Sequence, residues 1–168
     1  MDDSYVDDAL IDAEAAFQET RGQTGESDLN VSEAALVQLR KACRLLEAAR
    51  TLREQNGYYT VVIEASFVAV ERSIQFYLLQ RGHASSEDLR YEHTAVYQQA
   101  GEVNLFSETF ADRLMQLWKQ NRAEVYYRET VASAEQADAM LSLAEAVHQY
   151  ILDFTSLTHE CVCCQKSR

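Results

Sequence analysis

The segment Asn121 to Glu129, NRAEVYYRE, gathers the residues of this chain best suited to chemistry. Arg122 brings a guanidinium, a planar fork of hydrogen-bond donors that stays charged at any ordinary pH. Tyr126 and Tyr127 carry hydroxyls that donate hydrogen bonds without ionising, and Asn121 and Arg128 flank them with further donors. The apolar ladder before them, Phe110, Leu114, Leu117 and Trp118, advances by the three- and four-residue steps of a helix. On a continuous helix Trp118, Arg122 and Tyr126 share a face, whereas Arg122 and Tyr127 diverge by about 140°. Either Tyr127 points elsewhere or the helix kinks here. The same residues also have a structural reading, in which Arg122 pairs with a buried acid such as Glu71 and the tyrosines wedge a helix junction.

Metal chemistry is less well served. Glu145 and His148 form an E-x-x-H, but a di-iron bundle needs a second such motif and two more helical glutamates, and the chain has no second one. His148 therefore reads as a packed histidine beside an apolar seam, and Cys43 as a small hydrophobe on a helix face. The tail His159-x-Cys161-x-Cys163-Cys164 holds soft ligands for zinc in a weak motif at a chain end, so no metal site and no cofactor are assigned. Neither a Gly-rich phosphate loop nor a serine nucleophile elbow is present. The stripe Arg40, Lys41, Arg44, Arg50 and Arg53 is the most positive stretch and the best electrostatic footprint for RNA. Glu47 and Glu54 lie at pairing distance within it, which makes a solvated helix face the plainer reading.

These residues must be positioned by helices. The 168 residues suit one domain burying roughly two-thirds of its unfolded surface. With no proline and five glycines, and with Ala, Leu, Glu, Gln and Arg abundant, the composition favours an all-α fold. No apolar run approaches the ~20 residues of a membrane span, and the acidic start MDDSYVDDAL is unlike a signal peptide, so a soluble cytoplasmic protein is expected. A net charge of −12 argues against nucleic-acid binding in general. Yet three lysines against twelve arginines on an acidic chain resemble salt-adapted archaeal proteins, where a Debye length of about 3 Å at 1 M salt mutes repulsion and lets a local basic site hold RNA.

The periodicity predicts an acidic first helix with Val6, Leu10, Ala13 and Phe17 on one face, then the linker RGQTGESDLN. Asn30 and Glu33 read as a capping box opening a helix to about Gln55, with Ala35, Leu39, Ala42, Leu46 and Ala49 inward. The break at Asn56-Gly57 is short enough for antiparallel neighbours, and the next helix, to about Arg81, is apolar nearly all round. Glu64, Glu71, Arg72 and Gln75 are its polar exceptions and need partners. Gly82 ends it, Ser85 or Ser86 opens a shorter helix to about Ala100, and Gly101 ends that. Ser107 caps the helix leading to Arg122. Ser133 with Gln136 caps the last, whose inner seam is Ala137, Met140, Ala144, Val147, Ile151, Phe154 and Thr158. The expected architecture is an antiparallel four- to six-helix up-and-down bundle over residues 30–158, preceded by an acidic helix and linker (1–29) and followed by a cysteine-containing tail (159–168).

The long central helix EASFVAVERSIQFYLLQRG, followed two helices later by Arg122-x-x-x-x-Tyr127, resembles the HEPN family of small helical domains in a haloarchaeal-type form. The likeness spans roughly residues 32–153 and rests on a short motif. It implies a homodimer whose two R-x(4 to 6)-H motifs meet in a cleft that cleaves RNA without metal, often as a toxin encoded with a nucleotidyltransferase antitoxin. Arg122 matches the motif arginine, and Tyr127 stands where the histidine would be, with Asn121, Tyr126, Arg128 and Glu71 toward the substrate. An unperturbed tyrosine is ionised only about one part in a thousand at pH 7, so Tyr127 serves as a proton donor or phosphate anchor rather than a base. His93 or His148 would have to supply a histidine. In relatives whose motif extends to R-x-x-x-x-H-x-Tyr, the tyrosine is modified by the partner enzyme; the corresponding position here is Glu129. Three functions are compatible: a metal-independent toxin-type ribonuclease, an inactive module binding a nucleotidyltransferase or a nucleotide, and a purely structural helical dimer.

Overall fold

Helix follows helix along the chain. The computed structural model describes residues 4–19, 26, 29, 31–88, 93–123, 131–157 and 160–163. Among them are six helices and no strand: α1 (Ser4–Glu19), α2 (Ala34–Glu54), α3 (Tyr59–Gln80), α4 (His93–Glu102), α5 (Glu108–Asn121) and α6 (Ala134–Thr155). None is long and apolar enough to cross a membrane. The chain divides into two units, residues 1–30, which hold α1, and residues 31–168, which hold the other five helices.

Local chemistry sets most of the helix ends. Asn56, Gly57 and Tyr58 all have positive φ, so the chain reverses through three consecutive left-handed residues between α2 and α3, a conformation that glycine and asparagine tolerate best. Gly82, at φ +70, closes α3. The amide of His83 donates to the carbonyl of Leu78 at 2.8 Å and that of Gly82 to Leu79 at 3.1 Å, the paired bonds of a Schellman motif. Ser107 accepts from the Phe110 amide at the start of α5, and Ser133 and Gln136 form a reciprocal capping box on α6.

Three helix ends differ from the expectation. The N-cap of α2 is Glu33, whose side chain makes no cap hydrogen bond; Asn30 lies outside the described residues. Ser85 does exchange hydrogen bonds with Asp88, but α4 begins only at His93. Gly101 does not end α4. It lies buried inside the last turn, where an added Cβ would stand 3.3 Å from that of Ala111, so this glycine lets α4 and α5 approach closely.

α3 is the axis of the larger unit, packed against α2, α4 and α6. Val62, Ile63, Phe67, Val70, Ile74, Phe76 and Leu78 are buried along it, each such side chain contributing roughly 1.5–3 kcal/mol of transfer free energy. The predicted inward residues of α2 are all buried, as is the α6 seam from Ala137 to Ile151. Phe154 leaves that seam to stack on Tyr150 at the surface, and Thr158 lies outside the described residues. Ser66 and Ser73 are accommodated within apolar α3 by donating to their own helix's carbonyls at Val62 and Ala69.

Candidate functional site

Three helices deliver polar side chains to one place by simple spacing. Glu64 and Glu71 are seven residues apart on α3, which returns them to within about 20° of the same direction. His93 and Tyr97 are four apart on α4, as are Trp118 and Arg122 at the end of α5, so each pair shares a face. Beyond Asn121 the helix widens into a π turn at Arg122 and Ala123, a local irregularity common at functional sites. Arg122 itself keeps helical dihedrals of −61° and −44°.

At one side of the cluster Glu64 accepts from Asn121 Nδ2 at 2.7 Å and pairs with Arg122 Nη2 at 2.9 Å. The Arg122 guanidinium also lies 5.4 Å from the centre of the Trp118 ring, a cation–π distance. That ring in turn stacks on His93, centroids 5.9 Å apart. On the other side Glu71 holds His93 Nδ1 at 2.7 Å and accepts from the Tyr97 hydroxyl at 3.3 Å. The order Glu64, Arg122, Trp118, His93, Glu71, Tyr97 is therefore continuous. Arg72, beside Glu71 in sequence, turns instead to Gln38 and Gln75.

The electrostatics follow from burial. Desolvation pushes the Glu71 carboxyl up, while the hydrogen bond and charge of His93, the Tyr97 hydroxyl and the charge of Arg72 pull it back. The Tyr97 phenol is pushed up strongly by burial and then by Glu71, with the charge of Arg122 opposing. Tyr97 is thus a fixed neutral donor. The His93 side chain is 60% exposed over a Glu71 that is only 5% exposed. With an ionised Glu71 accepting at Nδ1, the imidazole presents the Nε2 lone pair outward, the arrangement of an oriented general base.

A family model matches residues 1–163, nearly the whole chain and both of its units. The chain belongs to that family, described as a domain of unknown function (DUF8154). No curated protein and no solved structure matches it. Of the residues that the sequence of this DUF8154 domain singles out, Arg122, Asn121 and Glu71 join the cluster, though Arg122 takes Glu64 rather than Glu71 as its acid. Tyr126, Tyr127 and Arg128 lie outside the described residues. The cluster also takes in Glu64, Trp118 and Tyr97, which lie outside the motif. The signal for Glu64 is its heptad spacing from Glu71 on an apolar helix, which demands partners without naming them.

Elsewhere in the DUF8154 domain the basic stripe of α2 is drawn to carboxylates of α6 and the C-terminal segment. Arg50 pairs with Glu145 at 2.6 Å, Arg53 with Asp138, and Arg40 with Glu160 at 3.5 Å. Arg53 holds the Asp138 carboxyl below its usual range. This occupies Glu145 of the E-x-x-H with an arginine and weakens the stripe as an RNA footprint. His148 faces Cys43, Cys161 and Cys163, and these four residues are the group able to hold a metal ion among the described residues. Hydrogen bonding with Cys161 and Cys43, together with burial, pushes the Cys163 thiol up.

Proposed function

We propose that this DUF8154 protein is a HEPN-like endoribonuclease that cleaves RNA without a metal at the α3–α4–α5 cluster. The observation that carries this reading is the exposed His93 imidazole, held at Nδ1 by buried Glu71 and joined through Trp118 to Arg122. It supplies a histidine beside the motif arginine although Tyr127 occupies the motif's own histidine position. His93 Nε2 takes the proton of a ribose 2′-hydroxyl, the 2′-oxygen attacks phosphorus, and the 5′-oxygen leaves to give a 2′,3′-cyclic phosphate. Arg122 exchanges Glu64 for the phosphate and offsets its developing charge. Tyr127 is the candidate donor to the leaving oxygen, and Asn121 and Tyr126 are candidate substrate contacts. A homodimer bringing two clusters to one cleft belongs to the same reading, as does expression in a cytoplasm of high salt.

The test is RNA incubated with the full chain in high-salt buffer without added divalent metal. Cyclic phosphate ends are expected, with His93→Ala and Arg122→Ala each slowing cleavage by about 10²-fold or more. An Arg122→Ala protein that cuts as fast as the parent overturns the assignment.

A second reading is favoured by a different observation: Arg122 is already neutralised by Glu64 at 2.9 Å on a chain of net charge −12. On that reading the protein is an inactive module that binds a nucleotidyltransferase or a nucleotide. Nucleotide binding in high salt by a protein that yields no cyclic phosphate ends would select it.

A further inference from the structure

Apart from the polar cluster, four soft ligands from distant stretches of the chain meet in the core of the larger unit. Cys43 of α2, His148 of α6, and Cys161 and Cys163 of the C-terminal segment are all at most 2% exposed. Their Sγ and Nε2 atoms lie within 4.8 Å of one another. Cys161 Sγ stands 3.6 Å from that of Cys43 and 3.3 Å from that of Cys163. His148 Nε2 stands 3.4, 3.5 and 3.8 Å from the sulfurs of Cys161, Cys163 and Cys43. Zinc bonds of about 2.3 Å to sulfur and about 2.05 Å to nitrogen, arranged tetrahedrally, require S···S edges of about 3.8 Å and S···N edges of about 3.6 Å. Each of these five separations lies within about half an ångström of its tetrahedral edge, so small shifts of the side chains bring the quartet to that size.

The orientation of the imidazole points the same way. Ser73 has one hydroxyl proton, and donates it to the Ala69 carbonyl at 2.8 Å. The 2.9 Å contact between Ser73 Oγ and His148 Nδ1 is therefore donated by the ring N–H, which leaves the lone pair on Nε2 facing the three sulfurs. Metal-bound histidines are fixed in this way by a hydrogen bond at the other nitrogen. The sulfur separations exceed the ~2.05 Å of a disulfide. A disulfide would also use two of the four groups and leave a thiol and an imidazole facing each other in the core.

We propose that Cys43, His148, Cys161 and Cys163 form a closed Cys3His site for a single zinc ion. Four protein ligands leave no open coordination position, so the role is structural. The ion fastens residues 160–163 to α2 and α6, where the Arg40–Glu160 pair reaches across at the surface. It takes no part in RNA cleavage, and the two proposals stand or fall separately.

The test is metal analysis and zinc-edge X-ray absorption on the full chain produced in zinc-replete medium. About one zinc per chain is expected, in a shell of three sulfurs and one nitrogen, and Cys163→Ser should reduce the content below about a tenth. Because a cysteine variant in the core can fail to fold, Co2+ added to the metal-stripped parent chain provides a second measurement. It should give the intense visible bands and thiolate charge transfer of a tetrahedral site, saturating at about one equivalent. A parent chain with less than about a tenth of a zinc, a Cys163→Ser protein with undiminished zinc, a pale octahedral cobalt spectrum, or a Cys161–Cys163 disulfide in freshly purified protein would each overturn the proposal.

Discussion

Glu71 determines what His93 can do, because it is the carboxylate that fixes which ring nitrogen faces outward. Its burial also carries a cost that pH reveals. The folded-state ionisation of Glu71 lies above the ordinary value of about 4.3. The stability contributed by its protonated form is therefore complete below that value and is lost as pH rises through the folded value. Glu71→Gln, which keeps an acceptor but cannot ionise, should gain on the parent as pH is raised from about 4 to about 7. Urea midpoints at the two pH values read the gap, and a gap independent of pH would contradict burial as the cause of the shift. The glutamate was legible in the sequence as a polar residue on an apolar helix in need of a partner. Its partner was not, because His93 reaches it across a turn that periodicity cannot orient. Arg122 was legible through its motif, but its pairing with Glu64 rather than Glu71 depends on where α5 lies along α3.

Helix ends were more readable than side-chain partners, since a cap is a local hydrogen-bond problem solved within a few residues. Ser107, Ser133 with Gln136, and Gly82 all act as their types suggest. Ser133→Ala removes the acceptor of the Gln136 amide and should lower stability by about 1 kcal/mol. Gly82→Ala places a Cβ on a residue at φ +70 and should lower it by about 1–2 kcal/mol. Thermal melts of both variants measure this, and an unchanged Gly82→Ala melt would mean that the left-handed cap is not maintained in solution. Gly101 shows where such reading fails: a glycine near a helix end serves equally for a left-handed cap or for close packing, and only the proximity of Ala111 decides. The start of α2 reads as a capping pair of Asn30 and Glu33, but the helix begins at Ala34 with Glu33 itself as the N-cap, and Asn30 lies outside the described residues.

At the scale of the molecule a charge of −12 repels itself, and salt relieves that repulsion. The melting temperature should therefore rise as NaCl is increased from about 0.1 to about 2 M, where the Debye length falls from about 10 Å to below 3 Å. A melting temperature that falls over this range would show that pairs such as Arg50–Glu145 outweigh the net repulsion. The cysteine–histidine quartet is the least legible feature, since its members lie at 43, 148, 161 and 163 and meet only when α2 packs on α6 and the C-terminal segment folds back beside them. Both candidate centres depend on α3. Glu71 and Ser73 are two residues apart, so about 200° of helical rotation sends one toward His93 and the other toward His148. α3 is thus a shared camshaft. A rotation that withdraws Ser73 from His148 also swings Glu71 away from His93, so the seating of one buried histidine and the orientation of one exposed histidine are set by one angle.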